Sequence, residues 1–460
     1  MSLRVLSLPY QSETRILFAR IADQPWAIWL DSGTRDGQSL GRYDILSAAP
    51  STTLLTQAGR TRITDSHGVR EHHENPLQLL RECLAQRSGP AVPGIPFAGG
   101  AMGYWGYDLA AQIDRQPVAT GGAAMPEMAV GLYDWALIVD HQARTTHLVT
   151  AAGLVDPASL ARHWAERLYG SVSAHPEYAP FRVTGPVSTL FSEAAYRAVV
   201  EQVQAYIAAG DCYQVNVAQR LSVPVEGDAW QAYCLLRQIN PAPYGAFMRY
   251  PGGAVLSTSP EQFLSLKDGV VTTRPIKGTR RRDPDPLIDN ALRDELIASP
   301  KDRAENLMIV DLLRNDLGRV CVPGSVTVPE LFKPESYARV HHLVSTVTGR
   351  LTADQDAVAL LEAAFPGGSI TGAPKRRAME IIAELEGCRR GAYCGSMGWI
   401  SDAGDMDTNI AIRTAVQRDD HMVFWAGGGI VSDSRWDAEY QECQTKATPF
   451  FELLRRCAQD

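Results

Sequence analysis

The sequence predicts an α+β fold in which antiparallel sheets are flanked by helices. Strand-like runs alternate irregularly with helical stretches, whereas a parallel doubly wound sheet requires a regular strand–helix–strand rhythm. Of the 460 residues, 45% are hydrophobic and 21% are charged, which is the composition of a globular chain with a large buried core. A largely disordered chain is therefore not expected.

The composition also argues against several classes of partner. A formal net charge of −8 and a pI near 5.7 give no overall attraction to nucleic-acid phosphates or anionic lipid. No segment reaches the roughly 20 apolar residues of a membrane helix, and the first residues do not resemble a secretion signal. The eight cysteines are scattered without metal-ligand spacing, so reduced thiols are expected. We expect a cytoplasmic protein with no nucleic-acid and no membrane partner.

Two changes in composition divide the chain, at the Pro/Gly-rich residues 88–96 and across residues 171–188. The second is the better candidate boundary, because a helical pattern begins directly after it. We therefore predict an N-terminal region, residues 1–180, and a second region, residues 185–458.

The second region should begin with a helix and a strand. Ser192 is a typical N-cap residue, and Gly210 can end the helix in a left-handed conformation. In residues 213–217 the alternation of side chains turns Gln214 and Asn216 to one face of a half-buried strand. We expect these two amides to line a cavity.

Later parts of the chain predict more strands and a helix N-terminus. Five further strand-like runs cover residues 254–257, 269–273, 395–400, 410–416 and 422–426. The stretch GGSITGAPK superficially resembles a phosphate loop, but no Lys-Ser/Thr follows Gly372, so it is not a nucleotide-binding motif. Residues 371–374 instead predict the start of a helix, and a helix N-terminus favours an anion.

Two predicted helices carry paired carboxylates that project from one face. The pairs are Asp302 with Glu305, in a helix over residues 300–317, and Glu439 with Glu442, in a helix over residues 437–447. Four carboxylates that converged would repel one another, and a hard cation such as Mg²⁺ would relieve that repulsion. The alternative is two solvated acidic faces, because charged residues mostly lie on the surface.

Four segments together resemble the chorismate-utilising enzymes. They are RPIKGT at residues 274–279, KDRAENLMIVDLLRND at 301–316, GGSITGAPK at 367–375 and AGGGIVSDS at 426–434. The resemblance covers most of residues 192–454 and extends weakly to the N-terminal region through WLDSG at 29–33 and FAGGAMGYWGYD at 97–108. It implies an anthranilate-synthase-like fold, in which two antiparallel β-sheets pack together and are flanked by helices. It also makes residues 185–458 the chorismate-binding catalytic region.

Two positions distinguish the reactions of this family. Lys277, in PIKGT, is similar to the branch that makes 4-amino-4-deoxychorismate for 4-aminobenzoate and folate, whereas the anthranilate synthase large subunit carries alanine there. Gln214 stands where isochorismate and salicylate synthases carry a lysine that activates water. The resemblance therefore implies amination of chorismate. An anthranilate synthase large subunit and a catalytically silent chorismate-binding subunit are the alternatives.

The same resemblance implies roles for individual residues. It makes Lys277 the nucleophile, Glu261 the general acid and His342 an active-site histidine. Burial next to a cation is consistent with the first role, because it lowers the pKa of an amine. The residues alone leave other interpretations open: Lys277 facing solvent, Glu261 as an exposed loop carboxylate, and His342 as a satisfied core histidine.

The implied cofactor is Mg²⁺, with Glu305 and Glu442 as direct ligands and with Asp302 and Glu439 acting through water. The implied substrate contacts are Gly278, Thr279, Ser369, Tyr393, Arg413, Gly427, Gly428, Gly429 and Lys446. Arg413 has a structural alternative, pairing within its own strand.

The sequence also implies a partner and a second ligand site. No cysteine lies in a Gly-x-Cys-x-Gly nucleophile turn, so we expect a glutamine amidotransferase subunit to supply ammonia within a heterodimer. WLDSG resembles the segment with which the anthranilate subunit binds tryptophan, which makes Asp31 and Ser32 candidates for a tryptophan or structural ligand site. The alternative is a strand end followed by a turn, because Asp-Ser-Gly is common turn chemistry.

Overall fold

The computed structural model describes residues 3–33, 41–113, 115, 117–122, 125–170, 176–337 and 340–458. Within them, two large antiparallel sheets and the helices packed on them confirm the predicted α+β class.

The strands are β1 (Arg4–Leu8), β2 (Ile28–Asp31), β3 (Tyr43–Ser47), β4 (Thr52–Gln57), β5 (Arg60–Asp65), β6 (Gly68–His72), β7 (Gly100–Trp105), β8 (Met128–Tyr133), β9 (Trp135–Asp140), β10 (Thr145–Thr150), β11 (Arg182–Val183), β12 (Ser188–Thr189), β13 (Gln214–Glu226), β14 (Tyr244–Tyr250), β15 (Gly253–Ser259), β16 (Gln262–Lys267), β17 (Val270–Arg274), β18 (Ile276–Arg281), β19 (Thr327–Ser336), β20 (Val340–Arg350), β21 (Gly372–Ala373), β22 (Ser396–Ser401), β23 (Met406–Asn409), β24 (Thr414–Arg418) and β25 (His421–Ile430). The helices are α1 (Thr14–Phe18), α2 (Pro76–Ala85), α3 (Ala110–Ile113), α4 (Pro157–Tyr169), α5 (Glu193–Ala208), α6 (Ala229–Ile239), α7 (Pro286–Ala298), α8 (Pro300–Gly318), α9 (Ala357–Ala364), α10 (Lys375–Glu386) and α11 (Trp436–Cys457). Short 3₁₀ turns cover Tyr107–Leu109 and Gly368–Ile370.

Each sheet contains strands from both halves of the chain. The first sheet has the order β1-β10-β9-β3-β2-β14-β15-β24-β25-β13-β11, with β12 and β21 also paired to β13. The second has the order β18-β20-β17-β16-β23-β22-β7-β8-β4-β5-β6, with β19 paired to β20. The regions 1–180 and 185–458 thus contribute strands to both sheets, and the boundary between them stays a prediction.

The two sheets pack on a shared apolar core. One buried cluster contains Ile28, Met248 and Val255 from the first sheet, together with Met102 and Met397 from the second. Strands β7, β8, β9 and β22 are buried at every position, as expected for strands covered on both faces. None of the described helices combines the length and apolarity that a membrane-spanning helix requires.

Several predicted elements have the expected boundaries. The Ser192 hydroxyl accepts a hydrogen bond from the Ala195 amide (3.2 Å) at the start of α5, and Gly210 has a φ of +81° after its end. The helix predicted over residues 300–317 is α8, and the carboxylate helix predicted over residues 437–447 is the first half of α11.

Three local predictions were wrong in part. The strand expected over residues 410–416 begins only at Thr414, because Arg413 has a φ of +49°, which interrupts an extended backbone. The helix expected from residue 371 begins at Lys375, and Gly372–Ala373 is instead the short strand β21. Strand β13 is not half-buried at its start: Val215 and Val217 pack against α10 on one face, and Gln214 and Asn216 on the other face are buried as well.

Candidate active site

Lys277 lies on β18, at the centre of the group of residues that the sequence singles out. Its side chain is half-buried, and its ammonium interacts electrostatically with Glu305, Glu261 and Glu442. Burial lowers the pKa of Lys277, and the positive charge of Lys446 lowers it further, while the carboxylates oppose both effects. The structure thus offers an amine that loses its proton more easily than a solvated lysine.

Glu261 follows β15 and is only 4% exposed, so the exposed-loop interpretation of this residue was wrong. Burial raises the pKa of its carboxyl group to about 7, although a hydrogen bond from the Ser369 hydroxyl and the charge of Lys277 act in the opposite direction. Near neutral pH the site therefore contains a carboxylic acid that can donate a proton, next to an amine that can lose one.

The two carboxylate helices approach each other beside Lys277. Lys301 lies between them, with its ammonium 3.9 Å from Glu305 and 3.7 Å from Glu439. Burial raises the pKa of Glu305 and of Glu439, and the charge of Glu442 adds to both shifts. For Glu442 burial acts in the same direction, but Lys446, at 2.7 Å, and the other nearby lysines hold its pKa below the usual value.

The fourth carboxylate, Asp302, lies at the edge of this cluster. It pairs with Arg280 at 3.1 Å and lies against Gly278, where an added Cβ would come within 2.9 Å of its carboxyl carbon. Because Gly278 also has a φ of +87°, both its backbone and its surroundings require glycine.

The donor chemistry of this cluster fits a hard divalent cation. Carboxylate oxygens are the ligands that Mg²⁺ prefers. Burial raises the pKa of Glu305 and of Glu439, with repulsion from Glu442 as a smaller contribution, so a bound cation would stabilise their ionised forms. Among the described residues, however, no three His, Cys, Asp or Glu side chains already stand in a metal-binding arrangement. Lys301 bridges two of the carboxylates instead.

His342 lies on β20 and is 3% exposed. Its Nδ1 is 2.9 Å from the Thr279 hydroxyl, and its ring meets Tyr337 edge to face. Burial lowers the pKa of His342 to about 3, and the nearby guanidinium of Arg413 contributes to this shift. The imidazole is therefore neutral at physiological pH, which suits a positioning role better than acid catalysis.

Of the residues predicted to contact substrate, Arg413 and Lys446 interact electrostatically with Glu261, whereas Tyr393 packs beside Arg390. Tyr393 is buried and stacks on Trp425, with ring centroids 5.6 Å apart. Arg413 is half-buried, and burial lowers its pKa while Glu261 opposes that shift. Lys446 donates to Glu442 and to the Gly427 carbonyl, the latter at 2.8 Å.

The three glycines of AGGGIVSDS lie within β25 rather than in a loop. Gly427, Gly428 and Gly429 pair with residues of β13. An added Cβ would lie 2.3 Å from the Val217 carbonyl oxygen at Gly427 and 2.5 Å from the Gln214 side chain at Gly429. Close packing against β13 therefore explains these two glycines, and their contact with substrate stays a prediction.

Gln214 and Asn216 point into the interior from β13. Gln214 is fully buried and Asn216 is 7% exposed. Among the described residues, neither polar atom of the Gln214 amide has a hydrogen-bond partner, and the Asn216 side-chain oxygen also has none. Buried amides without partners are rare, which makes these two positions candidates for contact with a bound molecule.

Sequence reasoning missed three residues of this site. Lys301 precedes Glu305 by four residues, a spacing that places both on one helix face. Ser434 donates to Glu439 at 2.7 Å, across the start of α11. Arg390 pairs with Glu386 behind the site, but it lies beyond the end of α10 at Glu386, so helical spacing does not indicate this pair.

Asp31 and Ser32 lie elsewhere, on the wall of a separate cavity of about 720 Å³ that Tyr43, Trp399 and Asp407 also line. Asp31 accepts a hydrogen bond from the Tyr233 hydroxyl (3.0 Å). The Ser32 amide and hydroxyl both donate to Asp44 at 2.8 Å. Neither Lys277 nor Glu261 lines this cavity, so the molecule has a large ligand-sized space apart from the candidate active site.

The family model described as chorismate binding enzyme matches residues 27–452, and the chain belongs to this family. The chain is 47% identical over 454 residues to aminodeoxychorismate synthase component 1 of Klebsiella aerogenes, covering 98% of each protein. It is 35% identical over 465 residues to anthranilate synthase component 1 of Pseudomonas aeruginosa, covering 95% of this chain and 92% of that one.

The fold is also that of a solved member. Anthranilate synthase component I from Streptococcus pneumoniae superposes with a TM-score of 0.78 at 32% identity, covering 90% of this chain and 92% of that chain. These comparisons confirm both the family that the four segments predict and the anthranilate-synthase-like fold.

Proposed function

We propose that this chain is the chorismate-aminating component of an aminodeoxychorismate synthase and makes 4-amino-4-deoxychorismate from chorismate and ammonia. One observation carries the proposal: Lys277, with a lowered pKa, lies beside Glu261, with a raised pKa. The name and the 47% identity of the Klebsiella aerogenes relative support the same reaction.

The chemistry requires opposite protonation states at these two positions. Neutral Lys277 attacks C2 of the chorismate ring, the ring double bonds shift, and the 4-hydroxyl leaves as water with the proton of Glu261. Ammonia then attacks C4, the double bonds shift back, and Lys277 is expelled from C2. The enolpyruvyl group is retained, so no pyruvate is released.

Burial and mutual attraction act in opposite directions on this pair. Burial, the largest effect on each group, lowers the pKa of Lys277 and raises the pKa of Glu261, whereas the attraction between the two charges opposes both shifts. Burial therefore favours the form of the site with a neutral amine and a protonated acid.

Charged groups around this pair suit a substrate with two carboxylates. Arg413 and Lys446 are cations within electrostatic range of Glu261, and we assign them to the substrate carboxylates. Tyr393 and Thr279 contribute hydroxyl groups. Neutral His342 holds Thr279 through the 2.9 Å contact of its Nδ1.

We assign Mg²⁺ to the carboxylate cluster, with Glu305 and Glu442 as ligands and with Asp302 and Glu439 supporting it through water. When bound, the cation orients the ring carboxylate of chorismate and withdraws charge from it. The mutual repulsion of the four protein carboxylates and the hard character of their oxygens support this assignment.

Ammonia is proposed to come from a glutamine amidotransferase subunit in a heterodimer. The sequence has no Gly-x-Cys-x-Gly nucleophile turn, and the Klebsiella aerogenes relative is named as component 1, which fits a two-component enzyme. Free ammonium at high concentration should replace the partner in the assay.

The cavity beside Asp31 and Ser32 is proposed to hold tryptophan or a similar amino acid. At about 720 Å³ it falls within the usual range of small-molecule sites, and Tyr43 and Trp399 offer aromatic walls. Added tryptophan should raise the melting temperature of the wild-type chain, and an unchanged melting temperature would contradict this assignment.

The main proposal is tested by product analysis. The purified chain is incubated with chorismate, MgCl₂ and ammonium at mildly alkaline pH, alongside Lys277→Ala and the surface control Lys333→Ala. We expect 4-amino-4-deoxychorismate from the wild type and the control, loss of product with EDTA, and a rate at least roughly 10³-fold lower for Lys277→Ala. Fluorescent anthranilate together with pyruvate would identify an anthranilate synthase and overturn the proposal. Bound but unreacted chorismate would identify a silent subunit and overturn it as well.

A further inference from the structure

Behind the candidate active site, Glu386 and Arg390 form an ion pair that is almost completely buried. The side chains are 2% and 1% exposed, and two nitrogen–oxygen contacts of 2.9 and 2.6 Å join them. Removing two charges from water costs more than a pair of this kind usually returns in stability. The pair is therefore expected to have a role other than stabilising the fold.

The Arg390 guanidinium also donates hydrogen bonds to two backbone carbonyls. One terminal nitrogen of Arg390 donates to the Ile370 carbonyl at 3.1 Å, and the other donates to the Asn216 carbonyl at 2.7 Å. Ile370 directly follows Ser369 in the 3₁₀ turn Gly368–Ile370. The same cation thus binds the turn that carries Ser369 and the strand that carries Gln214 and Asn216.

Glu386 completes the connection by accepting from the Ala218 amide at 2.8 Å. Strand β21 pairs with the first residues of β13, and β12 pairs with Leu221 and Ser222. Between these two strands, the Glu386 and Arg390 side chains provide hydrogen bonds that a neighbouring strand would otherwise provide. The pair therefore fixes the edge of β13 next to the catalytic residues.

The surroundings leave the guanidinium little freedom. The rings of Tyr107 and Tyr393 lie 4.8 and 5.9 Å from it, and Asp108 accepts from the Gly391 amide at 2.7 Å. A planar fork that donates to one carboxylate and two carbonyls has a fixed orientation, which lysine does not reproduce.

We propose that the Glu386–Arg390 pair is a positioning unit that holds the Ser369 turn against β13, so that the Ser369 hydroxyl stays hydrogen-bonded to Glu261. The inference rests on the proposed amination of chorismate and adds to it two residues that do not touch the reacting atoms. Arg390 and Glu386 act through Ser369 and are not catalytic residues themselves.

A double-mutant cycle between Arg390→Met and Ser369→Ala tests this relation in the full chain, with ammonium as nitrogen source. A small displacement of a catalytic group lowers a rate by up to about 10²-fold, and we expect a loss of kcat of that order for Arg390→Met with a smaller change in KM. Loss of one hydrogen bond predicts a roughly tenfold lower kcat for Ser369→Ala. In the Arg390→Met background, Ser369→Ala should have no further effect.

The pH dependence of kcat is a second measurement, and it should not change if Arg390 only stabilises the fold. Glu261 is surrounded by the Ser369 hydroxyl, the Ile276 amide and the cations Lys277, Lys446 and Arg413. Of these, Arg390 reaches only the turn of Ser369. Arg390→Met and Ser369→Ala should therefore shift the alkaline limb of kcat in the same direction, to higher pH, because each removes a hydrogen bond that favours the ionised carboxylate.

The neighbouring residue provides the matched control. Arg389 also follows α10, and its side chain pairs with Glu127 at 2.9 Å; among the described residues it contacts neither the Ser369 turn nor β13. Arg389→Met should lower the melting temperature without shifting the alkaline limb. Arg390→Lys keeps the positive charge but not the planar guanidinium, so its kcat should lie between those of Arg390→Met and the wild type.

The outcomes distinguish failure of the proposed function from failure of the positioning role. If the wild type makes no aminated product, the proposed function fails. If the wild type is active and the losses from Arg390→Met and Ser369→Ala multiply, or if Arg390→Met leaves the alkaline limb unchanged, only the positioning role is overturned. If Arg390→Met does not fold, the Glu386→Met/Arg390→Met variant, which leaves no buried charge unpaired, takes its place in the same cycle.

Discussion

Two of the regions that bury carboxylates differ in how those carboxylates are paired. Beside the 720 Å³ cavity, Asp31 is bound by Arg237 and Tyr233, and Asp44 is bound by Ser32 and by His141 at 3.1 Å. At the candidate active site, Glu261 has a hydroxyl partner in Ser369, and the nearby cations of Lys277 and Arg413 form no close ion pair with it.

The difference separates structural from reactive burial. Burial raises the pKa of Asp31, but the guanidinium of Arg237 opposes this shift, and the contacts with Arg237 and Tyr233 fix the position of the carboxylate. A buried acid and a buried amine that are not closely paired keep pKa values that are shifted toward neutrality, which is the condition for proton transfer at physiological pH. We therefore expect substitutions at the two regions to affect different properties.

The largest expected effect is on the rate after Glu261→Gln. The amide has almost the same shape but cannot donate a proton to the leaving hydroxyl, so kcat should fall by about 10²–10⁴-fold. Steady-state kinetics with ammonium measure this loss. A kcat within a few-fold of wild type would contradict the role of Glu261 as general acid.

The Asp31 region should respond in the opposite way. Asp31→Asn removes the negative partner of buried Arg237 and is expected to lower the free energy of unfolding by roughly 3 kcal/mol. Because Asp31 does not contact the candidate active site, kcat per folded molecule should stay unchanged. Urea unfolding and activity are measured on the same preparation, and a large loss of kcat at normal stability would break the comparison.

The pH dependence of stability provides a third contrast. Because Glu261 has a folded pKa of about 7 against an ordinary value of 4.5, it stabilises the folded chain below pH 4.5, and this contribution is lost as the pH rises through 7. The loss amounts to roughly 3 kcal/mol at 1.36 kcal/mol per pKa unit. The free energy of unfolding of Glu261→Gln, compared with that of the wild type, should therefore be higher at pH 8 than at pH 5. An equal pH dependence in both chains would argue against the raised pKa.

The last contrast concerns the metal site, where the two carboxylates assigned to act through water should have the smallest effect. Asp302→Asn and Glu439→Gln should raise the Mg²⁺ concentration for half-maximal activity by about 10–100-fold, as is typical of groups that act through water. Glu305→Gln and Glu442→Gln should prevent saturation by Mg²⁺ altogether. Direct titration of Mg²⁺ binding serves as an independent readout, and unchanged binding in all four variants would place the metal elsewhere.

Local patterns in the sequence predicted much of the fold. Periodicity and the Ser192 cap were sufficient for α5, and periodicity alone was sufficient for α8. The structure adds a second serine cap, Ser299, at the start of α8. The strand over residues 410–416 was misplaced because the left-handed conformation of Arg413 depends on its tertiary setting. Similarly, β21 exists only because β13 lies beside it and pairs with it.

The candidate site was predictable where a motif or a helical spacing contained it. The spacing of Asp302 and Glu305 indicated a shared face, and the resemblance of PIKGT singled out Lys277. The bridge formed by Lys301 and the connection of Arg390 to the Ser369 turn were not predicted, because each joins residues that are far apart in sequence. Such contacts depend on how the helices pack on the sheets, which the spacing of residues within one helix does not determine.

The central claim is that Lys277 attacks chorismate, and intact-protein mass spectrometry tests it most directly. The chain is incubated with chorismate and MgCl₂ without ammonium, quenched and digested to locate any adduct. We predict an adduct with the mass of chorismate less one water on Lys277, which disappears when ammonium is added and is missing from Lys277→Ala. An adduct on Lys277→Ala, or product formation by that variant at the wild-type rate, would contradict the account.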